Sequence, residues 1–159
     1  MIESALLLEN QICFRIYSLE RAIHAAYKPL LAKFDLTYPQ YLVMLVLWEV
    51  DSATVGDICS SLRLDTGTIS PLIKRMELKG LVERKRLPFD ERTVMVCLTK
   101  KGQNLQQDAK YIPHQLASCL FNQNGKSDQA AYEQLRTVLD DALISLEKSN
   151  LCCDTDENA

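Results

Sequence analysis

Apolar residues recur every three or four positions through Ile12, Ile16, Leu19, Ile23, Ala26 and Leu30. That single stripe predicts one long amphipathic helix over residues 5–34. "DLTYPQ" ends it, because Pro39 cannot continue a helix and restrains Tyr38 before it. "QYLVMLVLWEV" is apolar nearly all round, the pattern of a buried central helix too short to span a membrane. Two short periodic segments follow. Val55, Ile58 and Leu62 face inward on the first, and Ile69, Leu72, Ile73 and Met76 on the second. Thr54 with Asp57 forms a capping-box pattern, Asp65 reads as an N-cap, and Gly80 sits where a C′ glycine belongs. Pro71 is expected in the early turns, where its missing N–H costs least. With "RLD" as a tight connection, this is a helix-turn-helix.

The period then changes to two. "LVERKR" and "TVMVCLT", joined by "LPFDE", read as a hairpin, and a hairpin after a helix-turn-helix is a wing. "KKGQNLQQDAKYIPHQLASCLF" and "SDQAAYEQLRTVLDDALISLEKS" read as two last helices, the second striped by Leu135, Val138, Leu139, Ala142, Leu143 and Leu146. The first and last helices carry more apolar face than a small winged domain covers, which predicts that they pack together across a dimer. The expected fold is mainly α. A winged helix-turn-helix domain (39–99) is flanked by dimerisation helices (1–38 and 100–149), and residues 150–159, ending in "DTDENA", form a disordered tail.

Composition narrows the function classes. The 159 residues are 47% hydrophobic and 25% charged, an ordinary globular balance. No apolar run is long enough to cross a membrane, and "MIESALLLENQ" lacks the basic start of a signal peptide, so a cytoplasmic protein is expected. The six cysteines and two histidines have no metal-ligand spacing. Neither metal nor cofactor is expected, and reduced thiols are the plain reading. The net charge of −3 argues against nucleic acid, but its distribution does not. Between Asp65 and Lys101 stand nine basic and five acidic side chains, a local +4 that leaves −7 for the rest. This basic island is a solvated face or a surface with a partner.

Helix, hairpin and charge coincide there, which favours the partner. A helix fits the DNA major groove, with its first residues at base edges. Asp65, Thr66, Thr68 and Ser70 offer small polar side chains in that place. Lys74, Arg75, Arg84, Lys85 and Arg86 suit phosphates. Arg92, at the wing, suits the minor groove, with Asp90 placed to hold its guanidinium.

The stretches "LENQICFRIYS", "LTYPQYLVMLVLWE", "LDTGTISPLIKRMELKGLVERKR" and "DERTVMVCLTKKG" together resemble the MarR family of winged-helix repressors. The cysteine of "NQICF", followed by "LTYPQYLVMLVLWE", is similar to the OhrR branch, which senses organic hydroperoxides. That resemblance implies a homodimer bound to palindromic double-stranded operator DNA, with an organic hydroperoxide as inducer. It implies a reactive thiol at Cys13, partner-subunit tyrosines at Tyr27 and Tyr38, a third tyrosine at Tyr17 and a wing arginine at Arg92. A second thiol that resolves oxidised Cys13 falls near Cys119, with a small cellular thiol as the alternative.

By spacing alone Cys13 stays open between core thiol and reactive site. It lies beside the apolar stripe, and Tyr17 at i+4 shares its face. Phenolic donors stabilise a thiolate, the form that attacks a peroxide. Arg15 and Arg21 are expected to point elsewhere. Cys59 and Cys97 read as packing, and Cys152 and Cys153 as exposed thiols by the tail. Two rival functions remain: a regulator released by a small phenolic ligand, and a thiol peroxidase. The basic wing argues against the enzyme, which has no use for it.

Overall fold

The computed structural model describes residues 4–87, 90–123, 126–127 and 129–153, with side chains except at 87, 90–92, 121–123, 126–127 and 150–153. The chain divides into two compact units, residues 1–112 and 113–159.

In the first unit, α1 spans Ile12–Ala32 and α2 spans Tyr38–Val50. The helix expected from residue 5 starts at Ile12 instead, after two single 3-10 turns, Ser4–Leu6 and Leu8–Asn10. Asn10 Nδ2 donates to the Ser4 carbonyl at 2.8 Å, and Gln11 Nε2 donates to that of Ala5. Polar side chains that take up backbone carbonyls in this way compete with the helix. Between α1 and α2 the chain turns at Asp35, whose φ is +52°. Thr37 then starts α2 with a complete capping box: its backbone N–H donates to Gln40 Oε1 at 3.1 Å, and its hydroxyl accepts from the Gln40 N–H.

The helix-turn-helix is α3 (Val55–Leu62) and α4 (Thr66–Leu78). Thr54 and Asp57 make the expected reciprocal cap, both bonds at 3.0 Å. Arg63, at φ +53°, makes the turn. Pro71 falls in the early turns of α4 as expected, but as its sixth residue it is past the first turn, whose N–H groups have no partner in the helix. It therefore withholds the N–H that the Gly67 carbonyl would accept. Gly80, at φ +69°, ends the helix, and the Leu81 N–H closes on the Met76 carbonyl at 3.1 Å.

The wing is β2 (Val82–Leu87) paired antiparallel with β3 (Asp90–Leu98). A third strand that the pattern did not predict, β1 (Ser52–Thr54), pairs with the other edge of β3 and gives the order β1-β3-β2. Three residues are too few to show alternation. The core lies between helices and sheet, where Tyr41, Met44, Leu47, Ile58, Ile69, Ile73, Met76 and Val96 are all buried. Each such side chain contributes about 1.5–3 kcal/mol on leaving water.

The next segment, read as one helix, is two: α5 (Lys100–Ala109) and α6 (Ile112–Phe121). Pro113 cannot supply the N–H that would continue the helix onto the Ala109 carbonyl. Gly102 lets α5 press against the sheet; a Cβ there would stand 2.2 Å from the Leu81 carbonyl oxygen. Trp48 Nε1 donates to the Gly102 carbonyl at 2.9 Å and joins α2 to α5.

The second unit carries most of α6, a short hairpin of β4 (Asn122–Gln123) and β5 (Lys126–Ser127), and α7 (Gln129–Cys153). No glycine or proline interrupts α7, which continues four residues into the stretch read as tail. The remainder of the tail, 154–159, lies outside the described residues.

Candidate functional site

Two sets of predicted residues stand on the first unit. At the start of α4, Asp65, Thr66 and Thr68 are exposed and Ser70 is half-buried. Asp65 is occupied: its carboxylate accepts from the Thr68 N–H and hydroxyl, both at 2.8 Å. Those bonds hold its pKa below the usual carboxylate value. Asp65 therefore sets where the helix begins, and Thr66 and the outer face of Thr68 are the groups it presents.

The basic residues separate into two kinds. Lys74, Arg75 and Arg86 are exposed and form no ion pair among the described residues. Arg84 is committed to Glu77 through Nε at 2.8 Å and Nη2 at 2.7 Å, and its backbone N–H donates to the same carboxylate at 3.1 Å. This pins the wing to the end of α4 and draws the Glu77 pKa down. Lys85 pairs with Glu83 at 2.5 Å, which raises the lysine's pKa. The side chains of Asp90 and Arg92 lie outside the described residues; both positions fall on β3.

The second set lies along α1 and the start of α2. Cys13 is exposed, and Tyr17 is 56% exposed. Around them Ile12, Phe14, Ile16 and Leu19 are exposed too, so the apolar stripe is open to solvent in the single chain. Arg21, expected to point away from Cys13, reaches Tyr17. Its Nη1 donates to the Tyr17 hydroxyl at 3.3 Å, and its guanidinium lies 5.7 Å from the ring centre. Arg21 is thereby bound to the tyrosine that lies one helical turn beyond Cys13. Arg15 folds back to the Glu9 carbonyl.

Tyr27 and Tyr38 meet at the other end of α1, with ring centres 4.5 Å apart. Tyr27 is buried and also contacts Tyr41 at 5.7 Å. His24, which the sequence did not single out, packs on Tyr38 at 4.6 Å and pairs with Glu20 at 3.3 Å. Burial and the Glu20 charge raise the Tyr38 pKa, so its phenol stays protonated and remains a donor. Tyr41 is raised by burial, and its hydroxyl has no hydrogen-bond partner among the described residues. An open pocket of about 550 Å³ adjoins Tyr38, lined in part by His24, Lys28, Leu36 and Lys79. Cys13 and Tyr27 are fourteen positions apart on α1, about 21 Å along the axis. Within one chain, then, the structure pairs Tyr27 with Tyr38 and leaves Cys13 with Tyr17 far from both.

Cys119 is exposed and belongs to the second unit. Cys59 is half-buried with its sulfur 3.7 Å from the Thr66 hydroxyl, and Cys97 is half-buried in β3. Cys152 and Cys153 fall on α7, with their side chains outside the described residues. Among the described residues no group of His, Cys, Asp or Glu could hold a metal ion, and no helix is long and apolar enough to cross a membrane.

Known proteins share this architecture. The family model for the transcriptional regulator SarA/Rot matches residues 25–109. The organic hydroperoxide resistance transcriptional regulator of Bacillus subtilis is 43% identical over 143 residues, covering 90% of this chain and 94% of that one. Reduced AbfR bound to DNA, a protein of Staphylococcus epidermidis, superposes with a TM-score of 0.70 at 34% identity, covering 90% of this chain and 99% of that one. Disulfide-formed AbfR superposes with a TM-score of 0.59 at the same identity, covering 89% and 90%. These relatives are transcriptional regulators, not enzymes. On fold, motifs and kinship the chain belongs to the MarR family of winged helix-turn-helix transcriptional regulators, in the branch of the organic hydroperoxide resistance regulator.

Proposed function

We propose that this chain is a redox-sensing repressor. It acts in the cytoplasm as a homodimer on palindromic operator DNA and leaves that DNA when an organic hydroperoxide oxidises Cys13. One observation carries the reading: an exposed cysteine one helical turn before Tyr17, on an uncovered apolar helix face, in a chain that also presents a winged helix-turn-helix. The segments 1–38 and 100–149 supply the dimer contact, since the open faces of α1 and α7 are too apolar to stay in water. Two recognition helices then meet two half-sites, which two-fold symmetry makes palindromic.

In such a dimer the Tyr27–Tyr38 pair of one copy serves the Cys13 of the other, a distance the single chain cannot close. Thr66, Thr68 and Ser70 face base edges. Lys74, Arg75 and Arg86 face phosphates, and Arg92 enters the minor groove with Asp90 holding it. Arg84 and Lys85 shape the wing through their carboxylate partners. The chemistry is attack by the Cys13 thiolate on the O–O bond. The sulfur is oxidised to a sulfenate, and the peroxide is reduced to an alcohol. Condensation with a second thiol, Cys119 or a small cellular thiol, releases water and leaves a disulfide. Related AbfR has been solved in a disulfide form, which supports that step.

The test is operator affinity of wild type and Cys13→Ser before and after cumene hydroperoxide. Release of wild type but not of Cys13→Ser is expected, and equal release of both would sink the proposal. The pocket beside Tyr38 favours one second reading, release by a small phenolic ligand. That reading predicts a ligand that dissociates the Cys13→Ser complex as well.

A further inference from the structure

Lys79 caps the C-terminal end of α4, and its side chain reaches the turn between α1 and α2. Its ammonium donates to the Asp35 carbonyl, pairs with the Asp35 carboxylate at 3.1 Å, and reaches Gln40 Oε1 at 3.4 Å. A lysine has three N–H donors, and these contacts use all three on one turn of chain 39 and 44 residues away. That turn is the one that carries Tyr38. Asp35 makes the left-handed bend, and Tyr38 is the first residue of α2. Gln40 is 2% exposed, and its Oε1 accepts from both the Thr37 N–H and Lys79. The helix start that holds Tyr38 and the end of the recognition helix therefore share one acceptor. On its other side the same end of α4 is tied to α5 by Lys101 Nζ on the Lys79 carbonyl at 2.8 Å.

We propose that Lys79 is a positioning residue that couples the Tyr38 turn to the recognition helix, so that displacement of Tyr38 on oxidation of Cys13 is passed to α4 through it. The inference rests on the redox-repressor reading and names the contact through which one site biases the other. A plain structural staple would hold α4 equally in both redox states. A coupling contact changes the ratio between them.

The experiment uses the full chain and a DNA duplex selected from a random-sequence pool by reduced wild type. Affinity is measured before and after cumene hydroperoxide for wild type, Lys79→Met, Lys79→Arg and Asp35→Asn, with the rate of Cys13 oxidation followed by mass. Lys79→Met is expected to lower the reduced-to-oxidised affinity ratio by about fivefold or more, with the Cys13 oxidation rate unchanged. Lys79→Arg keeps the ratio and Asp35→Asn lowers it. Parallel loss of affinity in both states, ratio unchanged, overturns the proposal, as does loss of the ratio in Lys79→Arg. Should Lys79→Met not fold, Asp35→Asn decides on the same ratio, because Asp35 is exposed and its backbone carbonyl is retained. A wild type that does not respond to peroxide overturns the repressor reading and the latch together. A responding wild type with an unchanged ratio in the variants overturns the latch alone.

Discussion

A mixed dimer tests whether the sensor is built across two copies. Take Cys13→Ser in one copy and Tyr38→Phe in the other, co-expressed so that the copies assemble at random. Cys13 and Tyr27 are fourteen residues apart on one helix, about 21 Å, and Tyr38 stacks on Tyr27. No side-chain rotation brings Tyr38 to the sulfur of its own chain. If Tyr38 donates to the thiolate of the other copy, the single Cys13 of each mixed dimer faces an intact Tyr38. A hydrogen bond to a charged group contributes about 1.5–3 kcal/mol. At about 1.4 kcal/mol per tenfold in rate, removing it slows oxidation roughly ten- to hundredfold. In the random mixture half the Cys13 thiols lie in mixed dimers and half in Tyr38→Phe pairs. Two phases of about equal amplitude follow from that symmetry, one at the wild-type rate and one at the slow rate. Sulfenate formation under cumene hydroperoxide in modest excess over thiol, read by mass, resolves them. A single slow phase matching pure Tyr38→Phe refutes the shared-site argument.

Three further outcomes are expected. Gly102→Ala forces a Cβ to within 2.2 Å of the Leu81 carbonyl and strains the Trp48 hydrogen bond; overpacking and that bond together should cost about 2–4 kcal/mol. Urea unfolding followed by the single tryptophan measures it, against Gly56→Ala, whose nearest contact is an ordinary 3.6 Å; a larger loss in Gly56→Ala contradicts the packing. Asp57 and Asp65 have folded-state pKa values below their unfolded ones, so their caps stabilise above the unfolded pKa and that stability goes as pH falls through the folded values. Thermal midpoints should therefore drop below about pH 4, less steeply in the Asp57→Asn, Asp65→Asn double variant; equal slopes would remove the caps from the explanation. Lys74→Ala should lower the slope of log affinity against log salt by about one, and an unchanged slope removes Lys74 from the phosphate contacts.

What could be read in the sequence was whatever repeats or caps locally. Apolar spacing gave α2, α3 and α4, and Thr54, Asp57, Asp65 and Gly80 marked their ends, because those residues act on backbone groups within three or four positions. Period-two alternation gave β2 and β3. The missed features have other physical origins. The start of α1 depends on side chains reaching back six residues to carbonyls of the 3-10 turns. Strand β1 exists only because β3 offers it an edge. The Arg21–Tyr17 contact is an i+4 pair and was countable. The attachments of Lys79 to Asp35 and of Trp48 to Gly102 join residues 44 and 54 positions apart, and no periodicity records such a pairing. Cys13 is a related case. Spacing put Tyr17 one turn from it, whereas Tyr27 and Tyr38 enter only through the proposed second copy.

On the proposed reading, the oxidised sulfur belongs to one copy, while the phenols it disturbs belong to the other. One of those phenols, Tyr38, sits on the turn that Lys79 ties to α4 of its own chain, and Tyr27 stacks on it. One oxidation event therefore displaces one recognition helix, that of the opposite subunit. A dimer on a palindrome binds tightly because the second half-site is engaged intramolecularly, at high effective concentration. Losing the register of one helix removes that advantage even though the other still fits its half-site. One oxidised Cys13 per dimer is then enough to lower occupancy, and the second oxidation adds little.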